Sequence, residues 1–70
     1  MKNITANMAG AVFKVLVQDG EMIEVGQVVI VLESMKMEIP IEAMVDGKVE
    51  KILVQPGDFV NEGDILIKLE

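Results

Sequence analysis

Hydrophobic residues in this chain come in short bursts, each closed by a polar turn that carries glycine. Val, Ile and Leu dominate the bursts, and glycine recurs too often for helix interiors, so the pattern predicts strands. In the second half, Gly47 precedes a strand over Lys48 to Val54, and Gln55-Pro56-Gly57-Asp58 is a turn. Phe59-Val60 is a short strand, Asn61-Glu62-Gly63-Asp64 a second turn and Ile65 to Leu69 a last strand. The first half follows suit, with turns at Gln18-Asp19-Gly20-Glu21 and Glu24-Val25-Gly26-Gln27. Opening strands over Ile4 to Met8 and Met37 to Ala43 bring the count to about eight. Strands this short, with turns this regularly spaced, predict an all-β flattened barrel or sandwich. Alternation slips once: Val49 faces one way while Ile52 and Val54 are out of phase with it. That predicts a bulge, or a strand passing between two sheets.

The two halves are copies of each other. Residues 4–33 align with residues 41–70 with 13 identities in 30 positions, where ordinary composition gives about two. Leu16-Val17-Gln18 returns as Leu53-Val54-Gln55, and all six glycines fall into three pairs. A duplicated pattern within one domain, residues 1–70, predicts quasi-twofold symmetry. The link between the copies is Ser34 to Pro40, and its symmetry equivalent is the gap between Glu70 and the N-terminus. The two termini are therefore expected close together, on the edge opposite Lys36. Met22 and Phe59 align across the repeat, which predicts that both pack in the core. Met44 has no Met counterpart and is expected at the surface.

Lys36 sits at that junction, between Met35 and Met37. The turn has no Gly, Asn or Pro at its centre, although the chain uses glycine freely elsewhere, so turn propensity does not select these residues. Two large soft side chains beside an exposed lysine add apolar surface with no gain to the core. A partner that recognises the turn would explain them, with Lys36 as the handle for a covalent group.

Composition removes several other classes of function. The chain has no cysteine and no histidine, which excludes disulfides, thiolate metal sites and the commonest general base. Neither a metal-ligand cluster nor a pair of catalytic acids stands out. The turn carboxylates Glu24, Asp58, Glu62 and Asp64 read as solvated or as acceptors for turn amides. A net charge of −6 repels phosphate backbones and argues against nucleic acid. The longest aliphatic run, Val28 to Leu32, is far too short for a membrane helix.

Glu33-Ser34-Met35-Lys36-Met37 resembles the attachment motif of the biotinyl/lipoyl domain family, whose biotin-type members read E-A-M-K-M. Gly10-x-Val12, Gly47-x-Val49 and Gln55-x-Gly57-Asp58-x-Val60-x-x-Gly63 match the family pattern too, so the resemblance covers essentially the whole chain. It implies two four-stranded antiparallel sheets with quasi-twofold symmetry. It also implies that Lys36 is amide-linked to biotin by a biotin protein ligase that reads Glu33, Ser34, Met35 and Met37. The domain would then be a non-catalytic, cytoplasmic carrier, a swinging arm between biotin carboxylase and carboxyltransferase sites. Ser34 departs from the biotin-type motif and is shared with lipoyl-type members, which read E-[ST]-D-K-A. Lipoate on Lys36, supplied by lipoate-attaching enzymes for a 2-oxoacid dehydrogenase type of complex, stays open. So does an unmodified interaction module. The short turn after Val17 lacks the protruding thumb of some acetyl-CoA carboxylase carriers.

Overall fold

Eight strands and no helix make up the structure, a computed structural model that describes residues 2–70. The first half supplies β1 (Asn3–Thr5), β2 (Gly10–Val15), β3 (Met22–Ile23) and β4 (Val28–Ser34). The second supplies β5 (Met37–Glu42), β6 (Gly47–Ile52), β7 (Phe59–Val60) and β8 (Ile65–Leu69). They build two four-stranded antiparallel sheets, ordered β1-β8-β6-β3 and β5-β4-β2-β7. The expected all-β architecture is therefore present, flattened and 32 Å long. Shifting every residue by 37 positions turns the first strand order into the second, so the sequence repeat is also a twofold relation between the sheets. Each sheet takes two strands from each half, and the copies interlock.

The core obeys the same relation. Ile4, Ala6, Val12, Ile23, Val29, Ile30 and Leu32 are buried, and so are their mates Ile41, Ala43, Val49, Val60, Leu66, Ile67 and Leu69. Each member of a pair contributes about 1.5–3 kcal/mol by leaving water, except the small alanines. The expected slip in alternation is a pair of matching bulges. Pairing jumps between Val12 and Lys14 on β2, and between Val49 and Lys51 on β6. Further shifts on β4 and β8 let consecutive residues, Val29-Ile30 and Leu66-Ile67, both face the core.

All four predicted turns share one construction. The fourth residue donates its N–H to the carbonyl of the first, and a side-chain oxygen of the fourth accepts the N–H of the first. For Gln55–Asp58 these bonds are 3.1 and 3.0 Å, for Asn61–Asp64 3.0 and 2.8 Å. Gln18–Glu21 and Glu24–Gln27 repeat the pattern through Glu21 Oε1 and Gln27 Oε1. Asp58 and Asp64 are thus acceptors for turn amides, whereas Glu24 and Glu62 stand exposed. The third residue of each turn is a glycine at φ between +88° and +99°, where a Cβ would clash with its own backbone.

Two expectations need correction. Met22 and Phe59 are not in the core: they are 67% and 68% exposed. In β3 and β7 only one of two side chains can face inward, and Ile23 and Val60 take that place. The opening strand is also shorter than Ile4 to Met8, because Ala6 leaves the ladder to bond the turn at Asp64. Met44 lies at the surface as expected.

Candidate functional site

β4 and β5 share the longest ladder, which runs to its last rung at Ser34 opposite Met37. Two residues remain to reverse the chain, Met35 and Lys36. Their φ angles are +52° and +66°, as a two-residue hairpin requires when its twist matches that of its strands. Asn-Gly would satisfy this geometry without strain. A side chain in the left-handed region costs about 1–2 kcal/mol per residue, and here two consecutive non-glycine residues carry that cost. Strain of this kind persists where the surrounding structure over-determines it, and the β4–β5 ladder does so.

The turn projects its side chains into water. Met35 is 92% exposed and Met37 65% exposed, and Lys36 is exposed between them. No hydrogen bond or ion pair engages the Lys36 amine among the described residues. Ser34 is half-buried at the strand end. Glu33 is exposed and lies directly opposite Glu38. Two carboxylates facing each other across a ladder repel, so the base of the turn is an acidic collar beneath a lysine with apolar flanks. All five residues singled out in the sequence are thus brought together in one hairpin.

Register extends this surface in a way the sequence pattern did not reveal. Ala11 lies opposite Glu33 on one side and opposite Phe59 on the other. Phe59, Ala11, Glu33 and Glu38 therefore form a row across the outer face, apolar at one edge and acidic at the other. Gly10, one position before Ala11, matters for a different reason. A Cβ there would meet the backbone oxygen of Glu33 at 2.9 Å, so only glycine lets β2 and β4 approach beneath the turn. The pairing of Gly10 with Gly47 in the repeat was the available signal. The ends of the described residues meet as symmetry predicts: the Leu69 N–H donates to the Lys2 carbonyl at 3.0 Å, and Met1 lies outside the described residues. This closure is the twofold mate of the Lys36 turn, so the two lie on opposite sides of the axis.

The family model described as "Biotin-requiring enzyme", that of the biotin/lipoyl family, matches residues 2–69. The chain belongs to the biotin/lipoyl family. A relative within reach of this biotin/lipoyl chain is the biotin/lipoyl attachment protein of Bacillus subtilis, 58% identical over 40 residues. The biotin carboxyl carrier protein of acetyl-CoA carboxylase from Solanum lycopersicum is 52% identical over 40 residues. Each match covers 57% of this chain, and spans 55% of the first relative's length and 57% of the second's. Among solved structures, Kluyveromyces lactis urea carboxylase superposes with a TM-score of 0.89 and 33% identity, over 99% of this chain and 6% of that one. The swinging-arm role of a biotin carrier fits the family and the fold.

Proposed function

We propose that residues 1–70 act as a single biotin carrier domain, with biotin joined by an amide bond to Lys36 Nζ. One observation carries this reading: the strained, outward turn places Lys36 between exposed Met35 and Met37 with its amine unengaged by other described residues. The amine suits acylation sterically, since nothing in the fold has to move to reach it. A biotin protein ligase would grip Met35 and Met37 on their apolar flanks, with Glu33 and Ser34 read at the base of the turn. In the ligase's site the ε-amine loses a proton and attacks an activated biotin carboxyl group. When attached, biotin supplies a ring that carries a carboxyl group between active sites. The protein's own share is presentation: the β4–β5 ladder fixes the base of the arm, and tethering raises the effective concentration at each site visited. Acylation also removes the positive charge of Lys36 and leaves Glu33 and Glu38 to dominate the tip.

On this reading the domain is non-catalytic and serves the biotin carboxylase and carboxyltransferase of a biotin-dependent carboxylase in the cytoplasm. Similarity to a biotin carboxyl carrier protein and to a urea carboxylase supports the carboxylase part of this reading. Ser34 favours one second reading, lipoate at the same amine. Intact mass after co-expression with a biotin ligase separates the two. The expected result is one biotinoyl group on the parent chain and none on Lys36→Arg. A biotinylated Lys36→Arg protein would overturn the assignment, and a lipoyl mass on the parent chain would transfer it to lipoate. Met35→Asp is expected to lower biotin loading and favour lipoate.

A further inference from the structure

The ladders β1–β8, β2–β7, β3–β6 and β4–β5 all join the first half of the chain to the second. Apart from Val17, the buried core is shared between the halves in matched pairs. The direct covalent tie between β4 and β5 is Met35-Lys36, and both residues are left-handed without being glycine. At the symmetry-related end, Lys2 and Leu69 meet through a hydrogen bond. A short hinge under strain favours an open form in which its two strands run on as one. Everything that the opening breaks can be made again with a second chain.

We propose that a second copy of this chain is a partner. Two chains exchange residues 37–70 through the Met35-Lys36 hinge and form a closed, domain-swapped dimer. Each of the two barrels then holds residues 2–34 of one chain and residues 37–70 of the other, with every ladder and every core pair restored. The Met35-Lys36 turn is the part that is not restored. Lys36 lies in an extended crossing segment, so exchange withdraws the attachment point, a consequence that rests on reading Lys36 as that point. The dimer is thus a reservoir that cannot be modified, and its population rises with chain concentration during folding.

The chain has no cysteine, which allows a direct test. Ala11 and Phe59 are directly opposed across β2 and β7, a spacing that suits a disulfide. The Ala11→Cys/Phe59→Cys protein is unfolded, refolded at high chain concentration under reduction, oxidised and separated by size. The expected dimer holds its chains together on a non-reducing denaturing gel, and the monomer is linked internally. A dimer whose chains separate on that gel, or the absence of any dimer, overturns the proposal. The hinge is tested without cysteines. Met35→Asn/Lys36→Gly fits the left-handed turn and is expected to lower the dimer fraction about tenfold, from the relief of strain. An unchanged fraction overturns the role of the hinge. Finally, separated wild-type pools are incubated with biotin ligase, biotin and ATP. Label on the monomer alone supports withdrawal of the turn, and equal label on both pools overturns it. Absence of label on both pools counts against the attachment reading of Lys36, and the gel still judges exchange.

Discussion

The Lys36 turn and the terminal closure occupy equivalent places in the two sheets, yet they are built from different means. At one, the chain reverses through two left-handed residues that cost the fold energy. At the other, strands β1 and β8 come together with no connecting residues, sealed by the Leu69–Lys2 bond and a Lys2–Asp46 ion pair at 3.6 Å. The difference teaches that this corner of the fold needs no particular loop. Met35 and Lys36 are therefore not explained by folding: they are exposed and strained where the equivalent corner needs no residue at all.

The widest gap between the two ends is expected from Lys36→Ala. It should abolish covalent loading completely while leaving stability within about 0.5 kcal/mol, as for other exposed substitutions; intact mass and urea unfolding check both halves of that statement. A large loss of stability would mean that the turn residues support the fold after all. Next comes a test of the symmetry itself. Leu32 and Leu69 are fully buried mates, one leading to the turn and one to the termini. Each truncation to Ala should cost about 2–5 kcal/mol. Clearly unequal urea midpoints would show that the two ends are not energetic equivalents. Gly10→Ala should cost about 1–3 kcal/mol by forcing β2 away from Glu33. It should also slow loading, because it disturbs the strand beneath the turn. The smallest effect goes the other way: Met35→Asn should raise stability by about 1 kcal/mol through relief of left-handed strain, and thermal unfolding would detect it.

Much of this was legible in the sequence because duplication constrains topology. Matching glycines such as Gly20 and Gly57 located equivalent turns, and the phase slip after Val49 signalled the bulge that the structure contains. The exposed hairpin was legible as well, since Met35 and Met37 beside Lys36 have no role in a core. Met22 and Phe59 were misread for a physical reason. A two-residue strand offers two adjacent apolar side chains and no period from which to tell inside from outside. The row from Phe59 to Glu38 and the close approach at Gly10 depend on register between strands distant in sequence. Residue patterns within a single strand do not encode that distance.

The place of β8 has a consequence for biosynthesis. It is the last strand of this sequence, and it lies between β1 and β6 inside its sheet. As a ribosome delivers the chain, Lys36 emerges well before β8, but β1 and β6 have nothing to join them until it arrives. Folding dominated by such distant pairings is slow and waits for the last strand of the two sheets. A partner that reads the folded hairpin would then meet it only after β8 has taken its place between β1 and β6.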